Sequence, residues 1–130
     1  MTRIRLLLVS AVAAVLLVLS GSPIIALAAE EPVTISARFY PAPGREAEAE
    51  AFLLKVVAFV RGTEPNSTFR LHRSLKEPTV FFFYEVYPTQ GAREAHAKGT
   101  LPAFGKQFGP PPEGLFARPP EIEAFRELSN

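Results

Sequence analysis

The run Leu6 to Leu19 is aliphatic apart from Ser10 and three alanines, and it must be set aside before any fold is considered. Arg3 and Arg5 precede it. Gly21, Ser22 and Pro23 break it ahead of the small-residue stretch Ala26-Leu27-Ala28-Ala29. A basic start, an aliphatic middle and a small-x-small end form the layout of a secretory signal peptide. We expect residues 1–29 to be that segment, cleaved after Ala28 or Ala29, and residues 30–130 to form one exported domain, periplasmic or secreted. The alternative is an uncleaved anchor, since Leu6 to Ala29 is long enough to cross a bilayer. Pro23 and the alanine-rich end favour cleavage.

An exported chain without cysteine has no disulfide to staple it, so about 100 residues must stand on a hydrophobic core. Without Arg3 and Arg5 the mature part holds 12 basic and 13 acidic side chains, with no basic block. Nucleic acid is therefore not the expected partner.

Val33 to Tyr40 alternates Val33, Ile35, Ala37 and Phe39 with Thr34, Ser36, Arg38 and Tyr40, which predicts a strand with one apolar face. After Pro41-Ala-Pro-Gly44, Ala49, Phe52, Leu53, Val56 and Val60 recur at helical spacing, predicting a helix from about Arg45 to Arg61. Glu46 and Glu48 suit its positive end, Arg61 its negative end, and Gly62 its stop. Ser67 to Ser74 and Thr79 to Tyr87 read as strands joined tightly enough to pair antiparallel. Both faces of the second are apolar, as in a central strand covered on both sides. Helices should supply one cover and a second subunit the other.

Thr89 can cap a short helix in which Ala92, Ala95 and His96 share a face while Arg93, Glu94 and Lys98 point away, with Gly99 as its stop. A helical piece from Leu101 to Phe108, a Gly/Pro-rich loop and a last strand within Glu121 to Leu128 complete the order βαββαβ. That is the α+β, ferredoxin-like split βαβ arrangement, with an antiparallel sheet.

Three sequence features, Thr34-Ile-Ser-Ala-Arg-Phe-Tyr-Pro-Ala-Pro-Gly44, Glu64-Pro-Asn66, and Phe83-Tyr-Glu-Val-Tyr87 followed by His96, together resemble the antibiotic biosynthesis monooxygenase (ABM) family. The resemblance spans roughly Val33 to Leu128. It implies a homodimeric α/β barrel of ferredoxin-like subunits, whose members include cofactor-independent oxygenases of aromatic rings and quinols. It implies no cofactor and a small aromatic or quinol-like substrate. The aromatic position often filled by Trp is Tyr87 here, and the features of the haem-degrading branch are missing. Fold alone does not choose an activity.

Glu85 and His96 are the catalytic candidates, because both are expected to face inward, where a carboxylate hydrogen-bonded to an imidazole would raise its basicity toward a phenolic or enolic proton. The alternative is a buried hydrogen bond that only tethers helix to sheet. Tyr87, with the parity of Glu85, could orient a quinol-like ligand. Arg38, Arg70 and His72 could bind an anionic or phenolate group, or could be solvated or dimer-interface positions. Asn66 could help position substrate, or simply make a turn. Two histidines without Cys or Asp give no metal-ligand pattern, and no glycine-rich phosphate loop or nucleophile elbow is present. A non-catalytic binder of a hydrophobic small molecule is the competing functional class.

Overall fold

The computed structural model describes residues 30–129; the expected signal segment, residues 1–29, lies outside the described residues. The elements run β1 (Val33–Phe39), α1 (Glu46–Thr63), β2 (Thr68–Arg73), β3 (Phe81–Tyr87), α2 (Gln90–Ala95), α3 (Leu101–Phe108) and β4 (Glu121–Phe125). The strands form one sheet in the order β2-β3-β1-β4, every neighbouring pair antiparallel. This is the α+β, ferredoxin-like topology expected from the sequence.

Register explains the two faces. Ile35 lies opposite Glu85, which lies opposite Phe69, and Ala37 lies opposite Phe83, which lies opposite Leu71. Directly opposed residues point to the same side of a sheet, so these rows form the inner face beneath the helices. Along β3, Phe81, Phe83, Glu85 and Tyr87 are buried while Phe82, Tyr84 and Val86 are less so. Ala49, Leu53, Val56, Val57 and Val60 form the buried stripe of α1 that packs in the same core as Phe69 and Phe83.

The segment after β3 departs from the reading of Gly99 as a stop. Thr89 caps α2 by accepting from the Ala92 amide at 2.9 Å. The chain then continues without a break through a π-helical turn, His96–Thr100, into α3. In that turn the Leu101 amide donates to the His96 carbonyl, five residues back. Pro102, near the start of α3, has no amide to give the ordinary four-residue bond, so widening the helix just before it forfeits little.

A loop of Gly and Pro returns the chain from α3 to β4. Gly109, with φ of +81°, occupies backbone space that a side chain would strain. The loop is held: Arg45 donates to the Glu113 carbonyl at 2.7 Å, Ala42 donates to the Leu115 carbonyl at 2.8 Å, and the Leu115 side chain is fully buried. It therefore forms a fixed wall over the inner face of the sheet.

Candidate functional site

Between the inner face of the sheet, α1, the π turn, α3 and this wall lies a cavity of about 470 Å³. Its surface is aliphatic and aromatic, with Phe52, Phe69, Phe83, Phe104 and Phe116 among the lining residues. Glu85, Arg93 and His96 are its charged or titratable members. Such a space, apolar with a few convergent polar groups, suits a small ring compound.

His96 opens the π turn, and the extra residue in that turn brings His96 and Thr100 to the same buried spot. There they meet Glu64, the residue that ends α1. Nδ1 of His96 lies 3.1 Å and 3.2 Å from the two Glu64 oxygens, and the Thr100 hydroxyl donates to Oε1 at 2.5 Å. A carboxylate can only accept, so Nδ1 carries the proton and Nε2 presents a lone pair. Nε2 has no hydrogen-bond partner among the described residues, and the imidazole lines the cavity. Burial pushes the His96 pKa below its ordinary value, against the opposing pull of Glu64. Around neutral pH the imidazole is thus neutral, with its proton on Nδ1 and Nε2 left to accept one from a ligand.

The expected Glu85–His96 hydrogen bond is not the one formed. On a strand, residues two apart share a face, and the Tyr87 hydroxyl reaches back to donate to Glu85 at 2.7 Å. Burial pushes the Glu85 pKa up to about 7, opposed by that hydrogen bond and by Arg93. Tyr87 is driven upward by burial and by Glu85. Its ring packs 5.2 Å from the imidazole, yet Tyr87 is fully buried and does not line the cavity. Tyr87 supports Glu85 and His96 from behind.

The other candidates lie elsewhere. Arg38 and His72 flank Phe82 across the sheet, and Arg70 lies opposite Tyr84, all on the outer face. His72 packs against the Phe82 ring, with centroids 5.5 Å apart. Asn66 is exposed in the turn between α1 and β2. None of the four reaches the cavity. Conversely, Arg93, expected to point away, lines it, because the three-residue spacing to His96 keeps both on one side of the helix. Glu64 is the residue that sequence reasoning missed as a site member. Its signal was a carboxylate at the C-terminal end of a helix, where the dipole disfavours negative charge and a tertiary partner is called for.

With fold and cavity defined, the comparisons with known proteins agree. Residues 32–106 match the family model described as antibiotic biosynthesis monooxygenase, more than half of the chain. The chain belongs to the ABM family. Among solved structures, a Caulobacter crescentus CB15 protein assigned to the antibiotic biosynthesis monooxygenases is 26% identical with a TM-score of 0.63, the match covering 78% of this chain and 93% of that one. The PA3566 protein of Pseudomonas aeruginosa is 21% identical with a TM-score of 0.62, over 78% of this chain and 99% of that one. Rv0793 of Mycobacterium tuberculosis is 19% identical with a TM-score of 0.59, over 77% and 98% respectively. No curated protein matches the chain in sequence.

Proposed function

We propose that this ABM-family protein is a cofactor-independent monooxygenase acting on a small aromatic or quinol-like substrate. The observation that carries this reading is the His96 imidazole, tied at Nδ1 to Glu64 and lining an aromatic-rich cavity with Nε2 left free of any partner among the described residues. Nε2 takes the hydroxyl proton of the bound ring compound. The resulting electron-rich anion reduces oxygen itself: a ring carbon bonds one oxygen atom, the O–O bond breaks, and the other atom leaves as water while a quinol becomes a hydroxyquinone. Atoms and electrons balance between substrate and oxygen. The protein supplies a base, an orientation and exclusion of water.

Oxygen uptake by the protein with naphthoquinols or anthrones, without added metal or flavin, tests this reading. One oxygen consumed per substrate, with labelled oxygen appearing in the product, is the expected result. Saturable binding of these compounds without uptake would replace it with the competing reading, a non-catalytic carrier of a hydrophobic small molecule. The almost wholly apolar lining favours that second reading over any other alternative.

A second copy of the chain is proposed to cover the outer face of the sheet, where Tyr84 is 38% exposed and Phe125 45% exposed in the single subunit. Buried apolar rings would be the driving term of that interface. Sedimentation equilibrium should return a dimer, and Tyr84→Glu, which places a charge on each side of the interface, should return a monomer.

Export is part of the same proposal, and it rests on the leader-like segment. The N-terminus of the protein recovered outside the cytoplasm should be Ala29 or Glu30 by mass spectrometry. A chain that keeps residues 1–29 and sediments with membranes would establish the anchor instead.

A further inference from the structure

The polar groups around the cavity do not balance. Glu64 is engaged by His96 and Thr100, and Glu85 by Tyr87. The groups with unspent capacity are Nε2 of His96, an acceptor, and the guanidinium of Arg93, a half-buried cation that has no ion pair or hydrogen bond among the described residues. Arg93 and His96 stand three residues apart on one helical wall and both line the cavity, so an acceptor and a fork of donors border a space that is apolar apart from Glu85. Both Glu85 and His96 feel the Arg93 charge. A ligand complementary to this pair offers a hydroxyl to His96 and an anion to Arg93. The geometry points to an aromatic hydroxy acid as the ligand class, with its ring in the Phe-lined space, its hydroxyl on His96 Nε2 and its carboxylate on Arg93.

A single planar carboxylate fits better than a phosphate, because one cation does not balance a dianion, which would also meet the repulsion of the nearby Glu64 carboxylate. Arg matches the planar carboxylate with two parallel donors. The inference rests on the proposed aromatic-pocket reading and narrows it to one substrate class.

Calorimetric titration of the protein with three probes tests it: α-naphthol, its meta-carboxylate, and the corresponding primary amide. The carboxylate should bind about 10- to 100-fold more tightly than the amide, the size of one charge-assisted hydrogen-bonding contact. Arg93→Gln should remove most of that preference and Arg93→Lys should keep part of it, with thermal melting to verify both folds. Equal affinity for carboxylate and amide in the unaltered protein, or a preference that survives Arg93→Gln, overturns the assignment while naphthol binding leaves the pocket reading intact. Failure of all three probes to bind removes both.

Discussion

Replacing His96 with alanine is expected to lower the rate of oxygen uptake by about 100- to 10,000-fold, the usual worth of a positioned general base. Alanine also opens a gap beside Phe69 and Tyr87 and leaves Glu64 without its imidazole partner. Lost activity in that variant alone could therefore reflect lost structure. His96→Gln separates the two, since its amide can still donate to Glu64 and occupies similar space but cannot take a proton. It should keep a cooperative thermal transition near that of the unaltered protein and show the same loss of uptake. Glu64→Gln should fall between, because its amide oxygen can still accept from Nδ1 but the negative charge that supports proton uptake by the imidazole is lost. The pH profile adds a readout that packing alone would not move. Since burial lowers the His96 pKa, the base form persists through neutrality, and uptake should decline only as pH falls below the ordinary histidine value of 6.5. Full activity in a folded His96→Gln protein would refute the assigned base, and the family fold would survive it.

The residues that were legible in advance share one property: their roles follow from local periodicity. Alternation along β1 marks its apolar face, shared parity keeps Glu85 and Tyr87 on one side of β3, and the α1 stripe identifies Leu53, Val56 and Val60 as core. What periodicity cannot carry is which buried polar groups meet. His96 and Glu64 are 32 residues apart, and nothing in either neighbourhood specifies the other. Strand parity points His96 to Glu85. Tyr87 decided otherwise by occupying Glu85. The π turn was equally hidden, because Gly99 is a local stop signal and the register that overrides it depends on docking His96 and Thr100 together on Glu64. For the same reason Arg93 was placed on the solvent side. Parity also shows why Arg38, Arg70 and His72 gather with one another and not with the cavity: each lies in a cross-strand row of the outer face.

Glu85→Gln should make the protein more stable at pH 8, by up to about 3 kcal/mol, and leave it nearly unchanged near pH 4, as read by urea denaturation at the two pH values. The sign follows from the proton balance. In the unfolded chain Glu85 ionises around its ordinary value of 4.5, whereas burial holds it protonated in the folded protein up to about 7. Between those values the folded state binds the extra proton, so its stability falls as pH rises, and above about 7 the full penalty of a buried carboxylate remains. Below about 4.5 both states carry the proton and the group contributes nothing. Glutamine has no such charge to bury, and the Tyr87 hydroxyl can donate to its carbonyl oxygen as it does to Glu85. The Glu64 charge adds to the penalty on an ionised Glu85, and the contribution of His96 is present in both proteins and cancels in the comparison. A variant less stable at pH 8 would mean that Glu85 is ionised and stabilised there, and the account of burial would fail. Glu85→Gln keeps the Tyr87 hydrogen bond and leaves the His96–Glu64 pair untouched, so it should retain most of the oxygen uptake that His96→Gln loses.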